Sequence, residues 1–192
     1  MADAESLDPT GEPPRGEIAA MVAVQSALAG RPGVLPAARA LSHFGEHSLG
    51  WVIVSLLGAV AAPRRHGSRR DWIVAAVGAF AAHAAAVVVK RVVRRQRPSH
   101  PAVAVNVGVP SQLSFPSAHA TSTTAAAILL GRATGLPLAP VLVPPMALSR
   151  ILAGVHYPSD VAAGVALGAA VAGAVVRVDN GLQGRRQGGT AR

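Results

Sequence analysis

The chain has no cysteine, which excludes disulfides, thiolate metal sites, iron–sulfur clusters and cysteine nucleophiles. Aromatic residues make up only 3% of it. It therefore offers no platform for stacking bases, and nucleic acid is not expected as a partner. Acidic residues are few, 9 against 18 basic ones, and Asp160 is the only one from Trp72 through Val178. That stretch cannot supply the paired carboxylates of a glycoside hydrolase, nor a magnesium or calcium site built from several carboxylates. Neither a metal nor another cofactor is expected. What is abundant is Ala, Val and Leu: hydrophobic residues reach 51% and charged ones only 14% in 192 residues, too apolar for an ordinary soluble domain. The net charge of +9 points to phosphate on a lipid headgroup or a substrate.

Residues 1–15 are acidic, polar and proline-containing, unlike a secretory signal, and read as a disordered tail. Between Gly16 and Arg39, short apolar runs are broken at Gly30-Arg31-Pro32-Gly33, which predicts helices lying in the membrane interface. Five apolar blocks follow: 48–62, 72–89, 118–130, 136–155 and 161–176. A spanning helix takes about 20 residues, so several blocks need polar residues to complete their ends. The expected fold is all-α, a small polytopic membrane bundle of about five spans with N-terminal interfacial helices. The membrane-embedded domain is placed at 16–178 and a polar C-terminal tail at 179–192. Gly164 and Gly168 have the four-residue spacing that lets helix backbones approach closely in lipid.

Polar residues gather at the ends of these blocks. Lys90, Arg91, Arg94, Arg95 and Arg97 precede Pro98, which reads either as a positive-inside anchor or as a phosphate contact. Ser117 stands before an apolar helix with His119 in its first turn, as an ordinary N-cap or as part of an anion site. Ser149-Arg150 lies near the end of the proline-rich fourth block, and an arginine there is kept by a partner or a substrate. His156 precedes Pro158, a residue suited to a first helical turn. Asp160 would then lie in that turn, where it can cap the helix or fix the imidazole tautomer.

Together, K-x6-RP (Lys90 to Pro98), PSAH (Pro116 to His119) and SR-x5-H-x3-D (Ser149 to Asp160) resemble the three-part signature of the type 2 phosphatidic acid phosphatase superfamily. Ala118 departs from the pattern, where the family usually has glycine. The small size and the stretches LSHFGEH and SQLSFPSAHATSTTAA most resemble the actinobacterial decaprenylphosphoryl-5-phosphoribose phosphatases of cell-wall arabinan precursor synthesis. The resemblance implies a metal-independent membrane phosphatase in a bacterial inner membrane, acting on a polyprenyl-linked sugar phosphate. It also implies that His156 attacks phosphorus to form a phosphohistidine, supported by Asp160. His119 would protonate the leaving oxygen and then activate water. Lys90, Arg97, Ser117, the Ala118 backbone and Arg150 would hold the phosphate, with Arg91, Arg94 and Arg95 as candidate headgroup contacts.

Other readings stay open at this level. A phosphotransferase would carry the same motifs, and a non-catalytic protein binding anionic lipid would share the basic ends. His83, among alanines in the second block, reads as a neutral residue hydrogen-bonded between helices. His43 and His47 flank Glu46 and read as part of an interfacial helix facing headgroups. Sidedness is undetermined, because arginines occur at both ends of the blocks.

Overall fold

The computed structural model describes residues 13–62 and 68–189. Most of the expected N-terminal tail lies outside the described residues, as does part of the stretch between the first two apolar blocks. Helices α1 (Gly16–Leu28), α2 (Val34–Phe44), α3 (Leu49–Ala61), α4 (Ser68–Val93), α5 (Ala118–Thr134), α6 (Leu138–Leu152) and α7 (Pro158–Gly189) follow in order. A 3₁₀ turn, Glu46–Ser48, joins α2 to α3. Among the described residues, seven helices thus follow the order of the expected N-terminal helices and the five apolar blocks, with two or three of them, rather than five, long and apolar enough to count as spans. By length and apolarity α4 and α7 can cross a membrane singly, and α2 with the 3₁₀–α3 segment can do so as one span bent by 54°. Shorter α5 and α6 complete the bundle. The helix α7 continues past Val178, where the apolar character ends, through Gly189.

Packing inverts the order of a soluble protein. On α4, Ala75, Ala79, Ala82 and Ala86 are buried at helical spacing, while Ile73, Val77, Phe80 and Val88 are exposed. Small residues face the neighbouring helices and large ones face outward. This follows from the solvent: lipid rewards no burial of large apolar chains, so helix contact depends on close van der Waals approach. Gly164 and Gly168 follow the same rule, because a β-carbon on Gly164 would come within 2.7 Å of the Ser117 carbonyl oxygen, and one on Gly168 would strike that of Thr121. Helix α5 is buried nearly all round, including Thr121, Ser122, Thr123 and Thr124. Most of these hydroxyls are satisfied: Thr121 donates to the Ser117 carbonyl at 2.8 Å, and Trp51 Nε1 donates to Thr123 Oγ1 at 2.9 Å.

The up-and-down order of α4 to α7 brings the C-terminal ends of α4 and α6 to the same end of the bundle as the N-terminal ends of α5 and α7. The three sequence motifs lie at those ends. At the other end Asp179 receives Arg70 and Arg132, each within 2.7 Å.

Candidate active site

Each motif residue is delivered by a local rule. Lys90 sits in the last turn of α4, and Ser117 caps α5, its hydroxyl accepting from the Ala120 N–H at 3.4 Å. His119 follows in the first turn. Helix α6 ends at Leu152, and Gly154 then takes a left-handed φ of 73° against the Ala104 backbone, a conformation glycine adopts without steric cost. That turn places Val155 and His156 ahead of Pro158, the first residue of α7.

A cavity of about 350 Å³ is lined by Lys90, Arg91, Arg97, Ala118, His119, Arg150 and His156, among others. The structure therefore brings residues of all three motifs to one space. Lys90 and Arg150 are buried, Arg150 to 2% exposure. Lys90 Nζ donates to the carbonyls of Leu113 and Ser114, both at 3.0 Å, and an ammonium has three donors. Arg97 donates through Nε to the Ser111 carbonyl and through Nη1 to that of Val155, each at 2.7 Å. Arg150 Nη2 donates to Ser42 Oγ at 2.7 Å, and its Nε has no hydrogen-bond partner. Arg70, Arg95 and Arg132 are held in ion pairs with carboxylates, whereas Lys90, Arg97 and Arg150 make no such pair with a described carboxylate. Buried cations left in this state favour an anion strongly.

Arg97 Nη1 lies 3.3 Å from His156 Nε2. A guanidinium only donates, so Nε2 is the acceptor and the ring proton belongs on Nδ1. His156 Nδ1 is 3.7 Å from Asp160 Oδ2, beyond hydrogen-bonding distance, and has no closer partner. Burial pushes the His156 pKa down to about 3 against the opposing pull of Asp160, and Arg97, Lys90 and Arg150 push it further the same way. The imidazole is thus neutral, with its Nε2 lone pair at the cationic cluster. His119 Nε2 donates to the Ser42 carbonyl at 2.9 Å, which leaves its Nδ1 without a proton in the neutral ring.

Not every sequence candidate reaches the cavity. Ser117 is fully buried as the α5 cap and does not line it. Asp160 is also fully buried. Its Oδ1 accepts from Arg95 Nη1 at 2.9 Å and its Oδ2 from the Tyr157 N–H at 2.9 Å. Arg95, grouped by sequence with the headgroup contacts, is instead committed inward. It also bonds Glu17 Oε2 at 2.7 Å and Ser159 Oγ at 2.6 Å, and its guanidinium lies 4.0 Å over the Tyr157 ring. Arg91 lines the cavity, whereas Arg94 is exposed and does not. Three residues that the motif reading passed over prove to belong here. Ser42 supports both Arg150 and His119. Gly45 presses on His119, since a β-carbon there would lie 2.6 Å from His119 Cδ2. Glu17 ties α1 to the first turn of α7, accepting from the Ser159 N–H at 2.8 Å. Among the described residues, no three His, Asp or Glu side chains come together as a metal-ligand set.

Comparison with known proteins agrees with this geometry. The chain is 72% identical over 174 residues to a decaprenylphosphoryl-5-phosphoribose phosphatase of Mycobacterium tuberculosis, covering 91% of this chain and 97% of that relative. It is 69% identical over 151 residues to the protein of the same name from Mycolicibacterium smegmatis, covering 79% and 82%. A crystal structure of a transmembrane PAP2-type phosphatidylglycerolphosphate phosphatase from Bacillus subtilis superposes with a TM-score of 0.64. It is 21% identical, and the match covers 84% of this chain and 85% of that one. A profile of the PAP2 superfamily matches residues 71–183, a span that holds the whole cationic cradle except the α2 corner, and the chain belongs to this superfamily of membrane phosphatases.

Proposed function

We propose that the protein sits as a multi-pass enzyme in a bacterial inner membrane and hydrolyses the terminal phosphomonoester of a polyprenyl-linked sugar phosphate, decaprenylphosphoryl-5-phosphoribose. The observation that carries the chemistry is the trio Lys90, Arg97 and Arg150, the first and last buried and Arg97 partly so, lining one cavity without an ion-pair partner among the described residues, with Arg97 against a neutral His156. The names of the two mycobacterial relatives support the substrate.

In this reading the cationic trio binds the phosphate oxygens, and Arg97 places them against His156. With substrate bound, His119 enters as the imidazolium, carrying a second proton on Nδ1; the Nε2 lone pair of His156 attacks phosphorus, the ester P–O bond breaks, and the departing alkoxide takes that Nδ1 proton. Phosphate now sits on Nε2. His119, neutral again, accepts a proton from water; the resulting oxygen attacks phosphorus, the N–P bond breaks, and inorganic phosphate leaves. Asp160 and Arg95 act through the tyrosine backbone and the start of α7, holding the histidine that precedes them and favouring the Nδ1–H tautomer. Charge spread over the equatorial oxygens in the transition state is what the fixed cations stabilise.

The test is a substrate panel. Purified protein in detergent is incubated with decaprenylphosphoryl-5-phosphoribose, phosphatidic acid and a polyprenyl diphosphate, and released phosphate is measured. The sugar lipid should be the best substrate, and an acid-labile phosphoprotein should be trapped on rapid quenching. Equal or faster turnover of phosphatidic acid would return the chain to a general lipid phosphatase.

A further inference from the structure

Part of the cavity wall is not used by phosphoryl chemistry. Beside the cations and the two histidines, it is lined by Glu46, His47 and His83. Glu46 is the one carboxylate among the described lining residues. Next to a phosphate dianion a carboxylate repels, so its presence calls for a different ligand group. The cavity, at about 350 Å³, falls in the range of small-molecule sites and exceeds what one phosphate fills.

The backbone is bent to present these residues. Glu46 and His47 lie in the 3₁₀ turn at the 54° break between α2 and α3. His47 and Ser48 take left-handed φ angles of 49° and 58°, a conformation that costs energy in residues with a β-carbon. Glu46 Oε1 lies 3.4 Å from His47 Nδ1, and the two side chains keep 40% and 62% of their exposure. The His47 and His83 rings are 5.7 Å apart, and His83 Nδ1 is buried with no hydrogen-bond partner. This combination offers a charged acceptor at the mouth and an unused imidazole nitrogen deeper in.

We propose that Glu46, His47 and His83 form a hydroxyl-recognition subsite, which selects phosphomonoesters whose leaving group is a sugar with neighbouring hydroxyls. The inference rests on the sugar-phosphate reading above and deepens it. The carboxylate accepts from one or two hydroxyls, and the imidazoles pair with the next. A site built to hydrogen-bond a hydroxyl discriminates against the analogue that lacks it, because a buried polar atom, here the His83 Nδ1, is left unpaired. A carboxylate acting only as counter-charge to Arg97 and Arg150 would affect every phosphate ester alike, and this difference makes the proposal testable.

The experiment uses the full chain in detergent. Its substrates are a short-prenyl phosphoryl-5-phosphoribose, the same compound lacking the 2- and 3-hydroxyls, and phosphatidic acid. For the wild type, Glu46→Gln and His83→Gln, kcat/KM is measured on each. The ratio of the ribose compound to its dideoxy counterpart should fall about tenfold in Glu46→Gln, and in the same direction in His83→Gln, which serves as the second variant. A ratio within twofold of wild type in both overturns the subsite while leaving the sugar-lipid function in place. Wild-type preference for phosphatidic acid over the ribose compound overturns the function, and the subsite with it.

Discussion

Ser42 holds two groups of the site at once, Arg150 through its hydroxyl and His119 through its carbonyl. Only the first depends on the side chain, so Ser42→Ala leaves a buried guanidinium with one more unpaired donor, a loss worth about 1.5–3 kcal/mol for a bond to a charged group. We expect kcat/KM on a simple phosphate ester to fall roughly tenfold or more, with KM rising, and Ser42→Thr to restore most of it. Unchanged KM in Ser42→Ala would remove Ser42 from the positioning of Arg150. A second prediction concerns His156. The ring takes up a proton near its ordinary 6.5 in the unfolded chain and near 3 in the fold. Between those values the unfolded state binds more protons, so stability rises with pH; the contribution is complete above about 6.5 and is lost as pH falls toward 3. In ¹⁵N-histidine spectra the His156 ring should stay neutral at pH 5, and added phosphate, by neutralising the adjacent cations, should raise its pKa. A ring that titrates near 6.5 in the phosphate-free protein would contradict the buried, cation-flanked environment. The sequence announced His156, His119 and Arg150 through fixed spacings but not Ser42, which meets Arg150 across 108 residues; no local pattern encodes such a contact.

At the scale of elements, the apolar blocks foretold the helices because breaks such as Gly30–Gly33 and Pro98 leave little freedom in where helices begin and end. The bend between α2 and α3 was less legible. SHFGEHS reads locally as one amphipathic helix, and only packing against His119 and the end of α4 turns it into a corner that faces the site. The inward turn of Arg95 is hidden for a related reason: its partners Glu17 and Asp160 lie 78 and 65 residues away, so a run of arginines does not show which one turns inward. The contact of α7 with α5 is the element most exposed to small changes in volume. Gly168→Leu would place a side chain against the Thr121 carbonyl, and a well-packed interface does not yield to added volume without shifting the helix. Since α5 carries His119 and α7 follows His156, we expect lower thermal stability in detergent together with loss of turnover. Gly173→Leu, where nothing lies within 4 Å of the added β-carbon, should behave like wild type in both assays. Equal tolerance of the two substitutions would refute close α5–α7 packing at Gly168.

Across the whole molecule the two ends of the bundle carry opposite electrostatic arrangements. At the site end, basic groups are left for a substrate; at the far end they are consumed internally, Asp179 receiving Arg70, Arg132 and Gln183, with Asp71 also 3.2 Å from Arg132. The lone core carboxylate visible in the sequence marked the first arrangement, whereas the second lay where the apolar pattern gave way to what reads as a polar tail. This division separates stability from catalysis. Asp179→Asn keeps the side-chain volume and removes the charge that joins the start of α4, the end of α5 and the middle of α7. The arginines are partly exposed, 29% each, so solvent softens the loss, and we expect a lower melting temperature rather than failure to fold. Because the change lies at the far end of α4 and α7 from His156, kcat and KM measured well below the melting temperature should match wild type. Excess EDTA should likewise leave both unchanged in wild type and variant, since the proposed chemistry uses fixed cations in place of a divalent metal; loss of activity restored by magnesium would contradict that. If Asp179→Asn instead kept its melting temperature but lost turnover, the far-end cluster would be coupled to the site through the long helices, and the separation of the two ends would be wrong.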